Sequence, residues 1–131
     1  MKNLKKIKGD ASFRKFFRKK YINYSSIIVF AKKEKIKNLL IYDSINKILN
    51  KNKVLAPQLY NEHYHKNYME IQDFGDDTIY RIFKKKGKSK IYYFKKIIET
   101  LIKIQLIKDK NIKNFKKKNY KVPKYDIKIL I

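Results

Sequence analysis

The chain contains no cysteine, which excludes disulfides, thiolate catalysis and zinc sites built on cysteine, and fits a reducing compartment. Histidine is nearly as scarce, with His63 and His65 alone, and after Asp77 the only aspartates are Asp109 and Asp126. Long apolar runs are missing as well: residues 27–31 and 97–98 fall far short of the ~20 apolar residues that span a bilayer. The basic residues 1–8 lead into Gly9-Asp10-Ala11-Ser12 and not into an apolar stretch with a cleavage site, so no signal peptide is expected. Together these absences predict a soluble, cytoplasmic protein with no membrane partner.

What the sequence has in excess is lysine. The formal charge is +24, and of 35 basic residues only Arg14, Arg18 and Arg81 are arginine. Such a charge points to a polyanion partner, yet bidentate recognition of phosphate or guanine favours arginine. The lysines are spread over every segment among many Ile, Asn and Tyr, as codon bias in an AT-rich genome produces. Non-specific, salt-sensitive polyanion binding is therefore expected. A dedicated nucleic-acid-binding protein, using residues 84–90 and 108–121 on phosphates, is the alternative function.

At 131 residues the chain can bury a core of its own. Phe13, Phe16, Phe17 and Tyr21, then residues 25–31, read as two strands joined by a turn around residues 19–24, with Ser26-Ile27-Ile28-Val29-Phe30 the strongest strand signal. From residue 34 to 50 the apolar positions Ile36, Leu39, Leu40, Ile45, Ile48 and Leu49 recur at helical spacing, so one helix face is expected to pack on the sheet. Leu55-Ala56-Pro57 ends that region. Residues 58–61 and 67–72 follow as strands around a polar turn. Asp73 to Asp77 is a turn, 78–83 a short helix, 84–90 a basic loop and 91–107 a second long helix. Residues 108–121 are polar and read as a flexible surface segment. The last ten residues, 122–131, read as the start of a further helix, with Ile127, Ile129, Leu130 and Ile131 and no stop signal.

Four stretches in this order resemble one family. Gly9-Asp10-Ala11-Ser12-Phe13-Arg14-Lys15-Phe16-Phe17-Arg18 is similar to the G-D-A-S-x-R-x-Y/F-x-R opening of bacterial phosphotransferases. Leu55-Ala56-Pro57 looks like their apolar-x-Pro before the fourth strand. Met69-Glu70-Ile71-Gln72-Asp73-Phe74-Gly75-Asp76 resembles the L-L-L-E-D-L/F-G-D strand and interlobe hinge, and Val122-Pro123-Lys124-Tyr125-Asp126 resembles L-P-x-Y-D. The family is the aminoglycoside phosphotransferase superfamily, in the branch of the anomeric N-acetylmuramate/N-acetylglucosamine kinases. Residues 30–34, Phe-Ala-Lys-Lys-Glu, depart from its Asp-Ala-Pro-Pro-Glu, and Gln72 stands where an acidic residue is usual.

The resemblance implies an α+β fold. A protein-kinase-like small lobe, an antiparallel sheet plus one helix, would occupy residues 1–74, and the first helices of a truncated large lobe residues 75–131. It implies a nucleotide site in which Gly9, Asp10, Ala11 and Ser12 approach phosphates through backbone N–H groups, Arg14 and Arg18 face the cleft, and Gln72, Asp73 and Phe74 hold adenine through main-chain groups. Each element also has a plainer reading: Gly-Asp-Ala-Ser as a common turn, the arginines as solvent-facing, the hinge as a strand ending in an acidic turn. ATP and Mg²⁺ are the cofactors of the complete family member, and a sugar or aminoglycoside-like hydroxyl is its acceptor.

Catalysis is another matter. Asp73-Phe74-Gly75 matches the metal-binding D-F-G of protein kinases in letters alone, because no H-R-D-x-x-x-x-N loop precedes it. The family's His-x-Asp loop cannot follow His65. The expectation is a phosphotransferase fragment with no catalytic residues and no metal site, inactive alone, with at most weak ATP binding, whose downstream DNA encodes the missing motifs in this frame or after one frameshift. His63 and His65 are expected to be exposed turn residues and not a metal pair, and Glu34 to favour the positive end of its helix or to pair with a lysine in the cleft.

Overall fold

The computed structural model describes residues 4–7, 13–31, 35–85, 90–109, 111–113 and 119–121, with the backbone alone at 35–38 and 120. Residues 9–12, Glu34 and 122–131 lie outside them, and so does everything expected of those positions.

Strands β1 (Leu4–Ile7), β2 (Lys15–Lys20) and β3 (Ser25–Phe30) run antiparallel, followed by helix α1 (Lys35–Lys51) and strands β4 (Leu59–His63) and β5 (Tyr68–Gln72). The sheet order is β1-β2-β3-β5-β4. Helix α1 carries the chain from β3 to the far edge, and β5 returns between the two. The β-branched run Ile27-Ile28-Val29 suits the pleated surface of a strand flanked on both sides, and β3 pairs with β2 and with β5.

Register decides which side chains meet. Opposite each other stand Ile27 and Ile71, and Val29 and Met69; α1 lays Leu39 on the same face, closing a core of Ile27, Val29, Ala31, Leu39, Tyr64, Met69 and Ile71. Leu40 packs against that cluster, as do Ile7 and Phe16, and Ile48 is buried too. The expected packing of α1 on β3 and β5 is thus present in Leu39 and Leu40. Each fully buried side chain of this kind contributes about 1.5–3 kcal/mol, and Val29, Leu39 and Met69 all have 0 % exposure.

Helix α1 ends in a Schellman motif: Val54 N–H donates to Leu49 C=O at 2.9 Å and Lys53 N–H to Asn50 C=O at 3.1 Å. Lys53 takes the left-handed conformation there, with φ 58°, at the position glycine usually fills. Two asparagines of α1 hold the extended connection that follows. Asn50 exchanges hydrogen bonds with both Ala56 backbone groups, and Asn46 Nδ2 donates to Pro57 C=O.

Beyond the acidic turn the character changes. Helix α2 (Ile79–Lys84) is capped by Thr78, whose hydroxyl accepts from Arg81 N–H, and helix α3 (Lys90–Gln105) buries no residue at all. Phe83 of α2 lies against the Phe94 ring of α3, centroids 5.1 Å apart. Where polarity suggested no regular structure, β6 (Asn111–Lys113) and β7 (Asn119–Lys121) pair as a two-stranded antiparallel sheet. Asp109 joins this region to α1 by accepting from Lys51 Nζ and Asn52 Nδ2 at 2.8 and 2.7 Å.

Candidate functional site

Strand β5 passes directly into the turn Asp73–Asp77, and two side chains from the hairpin β2–β3 reach that turn. Arg18 Nε and Nη2 donate to the two Asp73 oxygens at 2.6 and 3.1 Å, and Nη1 donates to Asp76 Oδ2 at 2.9 Å. Ser25 Oγ donates to Asp73 Oδ2 at 2.6 Å and Gly75 N–H to Asp73 Oδ1 at 2.8 Å. The Asp73 side chain is 3 % exposed. Burial works against its ionisation, but the Arg18 and Ser25 hydrogen bonds outweigh it and hold the carboxyl below its ordinary value. The same contacts raise Arg18 further above its ordinary value and lower Asp76. Gly75 supplies the left-handed φ of +76° on which the turn depends.

Arg18 therefore faces neither solvent nor an open cleft, as its sequence position had allowed; it fastens the sheet to the turn. Arg14 sits four positions earlier, roughly 13 Å along the strand by its rise per residue. Its guanidinium lies 5.4 Å from the Phe13 ring centroid and 5.1 Å from that of Tyr42 on α1. Of the expected hinge residues, Gln72 has its backbone N–H in use, donating to Gln58 C=O at 2.8 Å. Phe74 differs. Its ring is 49 % exposed, and its N–H and C=O take no partner among the described residues.

A second polar cluster lies on the opposite sheet face. Glu70 is 4 % exposed and accepts hydrogen bonds from Tyr21 Oη and Ser26 Oγ, with Lys19 Nζ 3.8 Å away. Burial opposes its charge, yet these donors keep its carboxyl below the ordinary value, while Tyr21 is raised by donating to it. Consecutive serines on β3 point to opposite faces, so Ser25 serves Asp73 and Ser26 serves Glu70.

The remaining candidates do not form a site. His63 ends β4 whereas His65 belongs to the 3-10 turn Tyr64–Lys66, and no metal-binding group of carboxylates and histidines occurs among the described residues. With four hydrogen bonds on its carboxylate, Asp73 has no vacant position for a metal. No described helix is long and apolar enough to cross a membrane. Sequence reading missed the roles of Ser25 and Glu70, and the adjacent serines in a strand were the one available signal. No family model, no curated protein and no solved structure matches the chain.

Proposed function

We propose that the sheet and α1 form the nucleotide-binding lobe of an ATP-dependent phosphotransferase acting on a sugar or aminoglycoside-like hydroxyl, with α2 and α3 beginning a second lobe. The observation that carries this reading is the turn that follows β5. The five-stranded antiparallel sheet, with one helix between its third and fourth strands, delivers its last strand into an acidic turn, where the main-chain groups of Phe74 have no partner among the described residues and would be available to the edge of a purine. The phosphate contacts implied by the resemblance fall on residues 9–12, which precede β2 in the chain. Most apolar side chains of the helices after the turn are exposed, which suits elements that belong against further structure. These 131 residues hold no His-x-Asp loop, so on this reading the chain binds nucleotide at most weakly and transfers no phosphate.

Amide NMR with Mg·ATP and with inorganic triphosphate tests the reading, because lysine-rich surfaces bind either anion by charge alone. Adenine-dependent shifts at Phe74 and Gly75, absent with triphosphate, are expected. Identical shifts with both ligands would overturn the hinge assignment, and phosphorylation of an aminosugar by the pure chain would overturn the inactive state.

A further inference from the structure

The sheet face turned away from α1 contributes nothing to the core cluster. Register arranges it in cross-strand rows. One row runs Lys15, Phe30, Tyr68 and His63 across β2, β3, β5 and β4, and the next runs Lys6, Phe17 and Ile28 from β1 to Glu70 on β5. Phe17, Ile28, Phe30, Tyr68 and His63 are half-buried, and Lys6 and Lys15 are exposed. The His63 and Tyr68 rings lie 4.6 Å apart. Strand spacing of about 4.8 Å sets the rings of successive strands at a separation that successive unpaired bases can match.

Charge on this face is one-sided. Among the described residues Lys6 and Lys15 have no carboxylate partner. The one carboxylate of the central rows, Glu70, is buried and already bonded to Tyr21 and Ser26. An incoming phosphate chain meets free ammonium groups on the β1–β2 side and a negative charge that is internally compensated. Rings flanked by cations on one sheet face are what base stacking and backbone neutralisation require, whereas a duplex hides the π-faces that rings could cover.

We propose that this face binds single-stranded nucleic acid, with bases stacked on Phe17, Phe30 and Tyr68 and phosphates held by Lys6 and Lys15. The site is distinct from the hinge and stands whether or not the hinge takes a nucleotide.

Fluorescence anisotropy of a labelled oligouridylate and of a duplex of equal length, each titrated with the full chain, tests it. The single strand should bind more tightly than the duplex. Phe17→Leu and Tyr68→Leu keep the charge and an apolar side chain but remove the ring, and each should weaken single-strand binding about fivefold or more. Lys6→Gln with Lys15→Gln should lower the slope of log affinity on log salt by about 1.4, and the same charge loss at Lys90 and Lys95 of α3 should leave the slope near its original value. Circular dichroism selects the folded variants, and the lysine pairs, exposed in both cases, supply the answer if a ring variant unfolds. Equal affinity for duplex, indifference to the ring substitutions in folded protein, an equal effect of the two lysine pairs, or full competition by polyglutamate at equal charge would overturn the proposal and leave only adventitious polyanion binding.

Discussion

Helices α1 and α3 are nearly the same length, 17 and 16 residues, and both are rich in lysine and isoleucine. Helix α3 has the cleaner apolar stripe, with Ile91, Phe94, Ile98, Leu101 and Ile102 at helical spacing, and all five are at least half exposed. Helix α1 interrupts its apolar face with Asp43, Ser44 and Asn46, yet these are buried along with Leu39 and Ile48. The difference lies outside the helices. Five strands offer α1 a surface in register with Leu39, and no such surface meets α3 among the described residues. Amphipathic periodicity thus marks a demand for a partner without showing that the partner is there.

Substitution on the two helices sharpens that contrast most. Leu39→Ala removes a fully buried side chain and should cost about 3 kcal/mol in urea unfolding followed by circular dichroism. Ile98→Ala, at a site 55 % exposed, should change stability by no more than about 0.5 kcal/mol. A large loss at Ile98 would show that α3 is covered in solution, and the comparison would collapse.

The fastening between the two regions comes next. Arg18→Gln strands the Asp73 carboxylate at 3 % exposure, and the loss should be about 2 kcal/mol, the scale of hydrogen bonds to a buried charge. Arg18→Lys should recover little of it, since one ammonium cannot span Asp73 and Asp76 together. If the glutamine variant unfolds at the same urea concentration as the original chain, the contact is ornamental.

A smaller effect is expected from acid. Asp73 and Glu70 both titrate below their ordinary 3.8 and 4.5, and a depressed carboxyl stabilises the fold above its unfolded value and loses that contribution as pH falls through the folded one. Stability should therefore stay level from about pH 8 to 5 with respect to these groups and decline below about pH 4. In Asp73→Asn the decline should be shallower. A steeper one would reverse the assigned sign.

Local pattern revealed much of the fold and little of the site. Ile27-Ile28-Val29, the spacing of Leu39 with Leu40, and Pro57 were enough to place β3, α1 and the connection to β4, because those signals sit within a few residues of what they determine. Strand β1 is harder to place from Leu4-Lys5-Lys6-Ile7, since four residues with two adjacent lysines carry no alternation and become a strand only beside β2. The pairing of Asn111–Lys113 with Asn119–Lys121 is hidden by a polar composition that reads as loop. Arg18 with Asp73, and Tyr21 with Glu70, are partners across 55 and 49 positions; no periodicity in either segment encodes such a meeting. Proximity between them exists only once β2, β3 and β5 are side by side.

The end of α1 has a consequence for how this sequence can change. With 3 glycines in 131 residues, a lysine does at position 53 what glycine does elsewhere, accepting a left-handed backbone that costs a residue with a Cβ about 1 kcal/mol. Lys53→Gly should raise the thermal midpoint by a few degrees, the part of that strain left after the greater freedom glycine gives the unfolded chain. The fold thus holds a reserve of stability one substitution away, open to a lineage whose codons allow glycine or to an engineer who needs a sturdier chain.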